Sequence, residues 1–449
     1  MSAIPFRRWM ISTLSIVALF QTNNVSALGL LQAYAAALQN DPTYRAAVYE
    51  NEAGQQYKVL GRSSLLPNLS ASYSTSKNQA DITSRSVFGE STTRRDYTSV
   101  AAAIQLRQPL VNLEGIARYY QGIAQTNYSD AQFSARSQEL IVRLVSAYVE
   151  AKYAEDQLTL VSAQRDEYAE QRKVNDRRYE KGEGTKTDML ETQAKFDLAE
   201  AQVLEARDSL TNARNALVAM VGTEITVLDP LSDDFRVKPM QPAGFDEWKA
   251  IALERNPEIV AQRHAVEAAR QEINKNRAGH APRLDLIASL NKTSSDTINT
   301  FNQEANISSI GLQLNIPLYS GGYVSAVTSQ AVSNHEKAKA DLETKTNQVL
   351  VELRKQHSLT LSSTLRIDAL VKSVSSARLL VDAMQKSVKG GIRTNLDVLN
   401  AQQQLFAAQR DLALARYNYL LGYLRLRNAA GTVGIGDLQN VASYFVAGR

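Results

Sequence analysis

Residue types that catalyse reactions or bind metals are scarce in this chain. It has no cysteine and only four histidines, which excludes disulfides, thiolate zinc sites, cysteine nucleophiles and cysteine-linked lipid anchors. No histidine has an Asp/Glu pair at metal-ligand spacing, and no phosphate-binding, serine-hydrolase or metalloprotease motif occurs. The sequence therefore predicts a protein that is not an enzyme and has no cofactor and no bound metal. The histidines are His264, His280, His335 and His357.

Charged residues collect instead around two glycine-bearing turns. The first, residues 181–188, reads KGEGTKTD, and the second, residues 389–397, reads KGGIRTNLD. Each follows a helical pattern rather than a strand, which favours a chain reversal over a nucleotide-binding loop. Both end on an aspartate, which could serve a partner or an ion or could simply stabilise the start of the next helix.

Composition excludes several classes of protein. The formal net charge of +4, from 50 basic and 46 acidic residues, is too small to indicate a nucleic-acid partner. With 44% hydrophobic residues the chain is not disordered, and a length of 449 residues would ordinarily form two or three domains. Beyond the N-terminus, no apolar run reaches the roughly 18 residues of a membrane-spanning helix.

Residues 1–27 have the composition of a secretory signal peptide. Arg7 and Arg8 precede a short apolar stretch at 9–20, and Val25-Ser26-Ala27 supplies small residues for cleavage. The apolar stretch is too short for a membrane anchor, which needs about 20 residues. We therefore expect cleavage near Ala27 and a mature protein that works outside the cytoplasm.

The rest of the chain is an internal duplication. Residues 37–78 align without a gap on 252–293 with twelve identical positions, where about one match in sixteen is expected by chance. One domain built from two similar halves therefore replaces the two or three ordinary domains. We expect the first repeat at 28–222, a connector at 223–246, the second repeat at 247–430 and a C-terminal connecting segment at 431–449.

Each repeat is expected to contain the same elements in the same order. Short helices come first, and an Asx–Pro pair, Asp41-Pro42 or Asn256-Pro257, starts the second of them. Two strands of alternating apolar and polar residues follow, joined by polar spans at 79–97 and 295–304. Helical hairpins with coiled-coil spacing come last, predicted at 113–180 with 187–221 and at 321–389 with 396–429.

The four amphipathic strands cannot form a stable structure by themselves. Their expected length of about 9–11 residues suits a tilted membrane strand. In lipid only a closed barrel satisfies every strand edge, and four strands do not enclose a pore, so several chains would have to share one barrel. A soluble β-sandwich at the tip of a helical stalk is the alternative, and the pattern favours the membrane.

In their order, these segments resemble the TolC family of outer-membrane export ducts over essentially the whole mature chain. The resemblance implies a mainly α-helical fold with a membrane β-barrel. Three chains would each give four strands to a twelve-stranded barrel, which continues as a long α-helical coiled-coil tunnel through the periplasm. The absence of cysteine points away from the lipid-anchored branch and towards type I secretion. The segments that carry the resemblance are ALQNDP at 37–42, LPNL at 66–69, QLRQPL at 105–110, GIRTNLDVL at 391–399 and ARYNY at 415–419.

The resemblance also implies roles for the two turns. In the family, the helix after the second turn carries acidic residues that ring a closed pore entrance, beside an arginine. Asp397 and Arg393 match this pattern, whereas Asn400 stands where a second acid is common and Val388 where some members have tyrosine. We therefore expect one carboxylate ring that favours cations, with Asp188 a weaker candidate for the same rim. The turns are expected to dock a periplasmic adaptor through Lys181, Gly182, Gly184, Lys389, Gly390 and Gly391.

The function implied is a homotrimeric exit duct in the outer membrane. It would contact outer-membrane lipid, extend into the periplasm, and place residues 431–449 there. Its partners would be a periplasmic adaptor and an inner-membrane ABC transporter, and its cargo an exported polypeptide. Small-molecule efflux in a tripartite pump is the alternative, and a periplasmic coiled-coil scaffold is a more distant one.

Overall fold

A computed structural model of the chain describes residues 27–232, 234–295 and 303–446. The expected signal peptide at 1–27 lies outside these residues, apart from Ala27. Within them, two similar halves follow one another, and each contains two short helices, a β-hairpin and a long helical hairpin. The first half consists of α1 (Leu30–Asn40), α2 (Pro42–Ser63), β1 (Asn68–Ser86), β2 (Gly89–Val111), α3 (Leu113–Glu180) and α4 (Lys186–Val221).

The second half repeats this order after an irregular connector. A short 3-10 turn separates its second helix from its first strand, and one further helix follows its helical hairpin. None of the described helices combines the length and the apolar character needed to cross a lipid bilayer. The elements are α5 (Phe245–Arg255), α6 (Pro257–Arg277), β3 (Arg283–Ser295), β4 (Gln303–Asn315), α7 (Tyr323–Lys389), α8 (Asn395–Ala429) and α9 (Ile435–Ala442).

The long helices begin and end within two residues of their predicted bounds. α3 has 68 residues and α7 has 67, so each is about 100 Å long at 1.5 Å per residue. Seven residues of α3 repeat at coiled-coil spacing. Leu140, Leu144, Ala151 and Ala154 are buried, and Ala147, Leu158 and Val161 are partly buried. Coiled-coil spacing therefore predicted both the extent of these helices and the face that packs.

The shorter helices stack end to end beside the long ones. The Asp41 carboxylate accepts hydrogen bonds from the N–H groups of Thr43 (2.7 Å) and Tyr44 (3.2 Å) and so caps α2. Beside it, the Asn40 amide donates to the carbonyl of Val221 at the end of α4, at 2.7 Å. Asn40 thus satisfies the end of α4 and Asp41 the start of α2, so that the two helix ends lie next to each other and α4 continues into α2.

The second half has an equivalent contact between helix ends, in which Asn256 alone caps α6 and also binds the end of α8. The Asn256 Oδ1 atom accepts from the N–H groups of Glu258 (3.0 Å) and Ile259 (3.2 Å), which caps α6. Its Nδ2 atom donates to the carbonyl of Ala429 at the end of α8, at 2.9 Å. Each half thus consists of one continuous long helix beside one composite helix of similar length.

The four strands form one antiparallel sheet in the order β1-β2-β3-β4. The central pair, β2 with β3, joins the two halves of the chain. The register aligns Leu69, Leu106, Ala288 and Ile310 in one row across the sheet. Because side chains alternate between faces, one face is largely apolar and the other polar. The adjacent row on the polar face is Ser70, Gln105, Ser289 and Ser309.

The first hairpin is longer than predicted. The span 79–97, expected to be a loop, belongs to β1 and β2, which have 19 and 23 residues, while β3 and β4 have 13 each. Polar cross-strand pairs hold the extension: Thr83 with Thr92 at 3.0 Å and Arg85 with Glu90 at 3.2 Å. The expectation of strands of about 9–11 residues was therefore wrong. Of the second span, 295–304, residues 296–302 lie outside the described residues.

The C-terminal segment 431–449 was expected to be connecting chain and instead contains α9. Leu438 and Val441 of this helix are buried in the main hydrophobic core. The Asp437 carboxylate accepts from Tyr423 Oη at 2.7 Å and pairs with Arg427 at 3.1 Å, both on α8. α9 therefore belongs to the packed belt around the middle of the helical stalk, together with α1 and parts of α3, α4 and α8.

Candidate functional site: the helix turns at the end of the stalk

The first turn reverses the chain between α3 and α4. Gly182 has φ +75°, a left-handed conformation that favours glycine. Its N–H donates to the carbonyl of Tyr179 at 3.0 Å, and the N–H of Gly184 donates to Arg178 at 3.1 Å. Lys181 and Gly182 are exposed, so the turn presents backbone and a basic side chain to its surroundings.

The second turn has the same construction between α7 and α8. Gly391 has φ +74°, and its N–H donates to the carbonyl of Val388 at 3.0 Å, while Gly390 donates to Lys386 at 3.1 Å. No described atom lies within 4 Å of a Cβ placed on Gly182 or Gly391. The surroundings of Gly182 and Gly391 are therefore open among the described residues. The apolar Ile392 at this turn is 80% exposed.

Asp397 and Asp188 occupy equivalent positions one turn into α8 and α4. The Asp397 Oδ2 atom accepts from the Thr394 N–H at 3.0 Å and from its hydroxyl at 2.9 Å. The Asp188 Oδ2 atom accepts from the Thr185 N–H at 3.4 Å and from its hydroxyl at 2.7 Å. Both aspartates therefore stabilise the start of the following helix, which is one of the roles that the sequence left open.

The surroundings of Asp397 stabilise the ionised form of its carboxyl group. Hydrogen bonds from the backbone and the hydroxyl of Thr394, together with the nearby Arg393 guanidinium, hold the pKa of this carboxyl below its ordinary value. Asp397 is partly exposed, and Arg393 and Asn400 are exposed. A capping role therefore leaves the carboxylate ionised and accessible to ions.

A polar seam joins the two helical hairpins close to the turns, and the sequence analysis missed it. Gln171 on α3 donates its amide to Asn395 Oδ1 at the start of α8. One turn earlier on α3, Glu167 accepts a hydrogen bond from the amide of Gln402 on α8. Between these two links, Tyr168 and Leu399 pack with Ala199 of α4 in a small apolar cluster.

The seam buries polar groups without satisfying all of them. Asn395 and Gln402 are 9% and 3% exposed, and Asn395 Nδ2 and Gln402 Oε1 have no hydrogen-bond partner among the described residues. Burial raises the pKa of Glu167, and the Gln402 amide offsets only part of that shift. This contact is weaker per residue than an apolar seam would be.

The predicted site residues therefore form two groups at one end of the stalk. Lys181, Gly182, Gly184 and Asp188 lie at the first turn, and no described hydrogen bond or ion pair links them to the second. α3 continues beyond Gln171 to Glu180, and those nine residues amount to about 13 Å of helix. The second group consists of Lys389, Gly390, Gly391, Arg393, Asp397 and Asn400.

No three His, Cys, Asp or Glu side chains of the described residues lie together as a metal site would require. The groups that the turns present are thus carboxylates, basic side chains and open backbone. Such groups bind ions and protein surfaces without any bond chemistry.

Comparison with known proteins identifies the family. The sequence profile of the family described as "Outer membrane efflux protein" matches residues 33–223 and 248–432, one match for each half. The chain belongs to this family. The predicted membership of the TolC family of outer-membrane channels is confirmed, and the chain is a channel protein rather than an enzyme.

Two curated family members are similar over nearly their whole length. The chain is 44% identical to the alkaline protease secretion protein AprF of Pseudomonas aeruginosa, over 99% of this chain and 93% of AprF. It is 38% identical to the proteases secretion protein PrtF of Dickeya chrysanthemi, over 96% of this chain and 94% of PrtF. Both halves, the stalk and the turns are thus included in each comparison.

A solved outer-membrane channel shares the fold. The CmeC outer membrane channel of Campylobacter jejuni superimposes with a TM-score of 0.79 over 98% of both chains, at 16% sequence identity. The combination of a four-stranded sheet and two long helical hairpins is therefore the protomer fold of these outer-membrane channels.

Proposed function

We propose that three copies of this chain close into one duct that crosses the outer membrane and extends through the periplasm. Within the described residues, β1 and β4 are each paired on one side only, and unpaired edges are not tolerated in lipid. The four strands alternate in direction, so β4 of one copy can pair antiparallel with β1 of the next. Family members form trimers, and three such sheets make a twelve-stranded barrel.

The membrane placement is supported by the apolar face of the sheet. Leu69, Ile310 and Leu312 on that face are 69%, 76% and 66% exposed. Side chains of this size exposed in a continuous band indicate contact with lipid rather than with water. A scaffold whose sheet stays in the periplasm would leave the same band in water.

We propose polypeptide secretion as the transport task. The observation that carries it is the similarity to AprF and PrtF, whose names both state protease secretion, over nearly the full length of each protein. The duct would receive an unfolded polypeptide from an inner-membrane ABC transporter through a periplasmic adaptor. Small-molecule efflux is the competing task within the same family.

Complementation separates the two tasks. The chain is expressed in Pseudomonas aeruginosa that lacks AprF, and alkaline protease activity in the medium is measured beside sensitivity to toxic small molecules. Polypeptide secretion predicts that protease export returns while drug sensitivity does not change. Increased drug resistance without protease export would assign the chain to small-molecule efflux.

At the turns we propose an adaptor-docking surface and a carboxylate constriction. The open space around Gly182 and Gly391 and the exposed Lys181 and Lys389 suit a partner helix that packs against the turns. In the same complementation assay, the double variant Gly182→Trp/Gly391→Trp is expected to lose export. Its trimers should remain intact, because both side chains would point into open space. Full export by this variant would remove the turns from the docking surface.

A further inference from the structure

A groove lies just below the sheet, between the first turns of α3 and the last turns of α6. It encloses about 640 Å³. β2 ends at Val111 and β3 begins at Arg283, so the groove starts where the barrel strands meet the helical stalk. The residues that matter are Leu113, Ile116 and Tyr120 on α3 and Glu267, Arg270 and Arg277 on α6.

The two walls of this groove differ in chemistry. The wall on α3 is apolar, and Leu113, Ile116 and Tyr120 are 49%, 42% and 53% exposed. The spacing of three and four residues keeps them on one side of the helix. A tyrosine at the edge of such a strip is typical of the interface between lipid and water.

The wall on α6 is basic. Glu267 and Arg270 form an ion pair of 2.7 Å that neutralises both charges. Arg277 is exposed, and no described residue forms an ion pair with it. The groove therefore carries one uncompensated positive charge at its end nearest the sheet.

The groove and the polar side of α6 lie on opposite sides of that helix. Glu272 lies two residues from Arg270, about 200° around α6, and accepts hydrogen bonds from Gln121 (2.7 Å) and Lys275 (2.6 Å). That opposite side leads to a polar cavity of about 930 Å³ between α3, α6, α7 and α8. Arg270 and Arg277 therefore lie on the side of α6 away from that cavity.

Neighbouring copies of the chain do not reach this place. α3 packs between α2 and α6, and α6 packs between α3 and α7. The edges that would meet other copies are α2 and α7, so the groove lies in the middle of each protomer. We take this side of the protomer to face away from the channel, so its occupant comes from the surroundings of the barrel base.

We propose that this groove binds an anionic glycerophospholipid of the periplasmic leaflet, with the phosphate on Arg277 and an acyl chain along Leu113 and Ile116. The proposal rests on the proposed placement of the sheet in the outer membrane. From Leu113 to Tyr120 the wall extends about 10 Å along α3, away from the sheet, which is more than the thickness of one headgroup layer, about 6 Å. The lipid would fix the height and tilt of the stalk at its junction with the barrel.

Native mass spectrometry of the detergent-purified trimer, titrated with phosphatidylglycerol, tests the site. Arg277→Gln is expected to weaken binding at least about tenfold, the effect of one lost charge-assisted hydrogen bond. The control is Arg378→Gln, because Arg378 is also exposed but lies far along α7. Equal affinity of the Arg277→Gln variant and the unchanged chain would overturn the proposal.

Two further measurements show whether the groove binds a lipid or a soluble phosphate, and whether the variants still form channels. Ile116→Gln is expected to weaken phosphatidylglycerol binding without affecting soluble glycerol phosphate. If glycerol phosphate binds as tightly as the lipid, the lipid assignment is wrong. Single-channel conductance is recorded for the same variants. Normal conductance with unaltered lipid binding by Arg277→Gln overturns this inference alone, whereas a chain that forms no conducting trimers overturns both this inference and the proposed function.

Discussion

At the scale of single residues, Asp397 has a role at a helix start that also bears on the proposed carboxylate constriction. Thr394 holds the carboxylate through two hydrogen bonds of about 3 Å, which fixes its position at the start of α8. The same bonds keep it ionised by lowering its pKa. In a trimer, three such charges around one axis would raise the local concentration of cations.

Replacing Asp397 tests this role. Asp397→Asn removes the charge and keeps an oxygen that can accept from Thr394, so we expect the cation-to-anion permeability ratio in planar bilayers to fall severalfold with the helix intact. Because the pKa is depressed, the cation preference of the unchanged channel should persist as the pH falls to the ordinary value of 3.8. Asp188→Asn serves as the matched control and should have a smaller effect. Selectivity that does not change in Asp397→Asn would remove Asp397 from the constriction.

Glu167 is the second informative residue. It belongs to the polar seam between α3 and α8, and its negative charge weakens that contact. It has a raised pKa because of burial, so the folded chain binds more protons than the unfolded chain between the ordinary value of 4.5 and the raised value. Stability therefore falls as the pH rises through that window. The ionised carboxylate favours separation of α3 from α8.

Glu167→Gln is accordingly expected to raise the thermal midpoint of unfolding at pH 7. The gain should shrink as the pH falls towards 4.5, the ordinary value for glutamate, because Glu167 is then protonated in the folded chain. Circular dichroism melts at several pH values measure this. Glu170→Gln is the control, since Glu170 is exposed and paired with Lys173 at 2.7 Å. A uniform loss of stability at every pH in Glu167→Gln would contradict the account.

The residues of the turns could be predicted, and those of the seam could not. Glycine at a chain reversal and aspartate at a helix start have local causes, which the sequence displays directly. Asn395 and Gln402 look like solvent-exposed residues, because their burial depends on where α3 passes α8. Their seven-residue spacing around Leu399 was the available signal, since it places all three on one helix face.

At the scale of secondary-structure elements, the glycines at helix ends differ in what they contact. Gly431 follows α8 with φ +73°, and a Cβ there would lie 2.4 Å from the Cα of Asn256. This is the joint at which α8 continues into α6. Gly391 has nearly the same φ but no neighbours within 4 Å.

The pair Gly431→Ala and Gly391→Ala separates backbone strain from steric overlap. A left-handed non-glycine residue costs about 1–2 kcal/mol, which is the whole effect expected for Gly391→Ala. Gly431→Ala adds overlap with backbone atoms that cannot rotate away, so we expect a loss of about 3 kcal/mol or more. Denaturant unfolding of the two variants gives the comparison. Equal losses would mean that the joint between α8 and α6 adjusts freely.

Elements with a repeating apolar pattern were predictable, and elements without one were not. The seam of α3 and the Asx–Pro starts of α2 and α6 gave correct bounds. The outer part of the β1–β2 hairpin has two polar faces, and its pairs such as Thr83–Thr92 exist only once the strands are in register. α9 has only eight residues, and its helical form depends on the Tyr423 and Arg427 contacts to Asp437.

At the scale of the whole molecule, the two duplicated halves form an arc of strands and helices. Other copies of the chain have to complete this arc. Both halves contribute one hairpin of strands and one hairpin of helices, and β2–β3 pairing joins them side by side. The arc leaves β1, β4, α2 and α7 at its edges. Apolar side chains remain exposed on α2 and α7, including Tyr49, Leu60, Leu361 and Leu365. A single chain would therefore be poorly soluble, and closure by identical copies removes every edge.

Single-channel recording of the purified protein in planar lipid bilayers tests this account most directly. A trimeric duct predicts discrete and uniform conductance steps with a preference for cations, from a preparation whose mass corresponds to three chains. A folded preparation that stays monomeric in water without detergent, or trimers that never conduct, would contradict the central claim that three copies of this chain form one channel through the outer membrane.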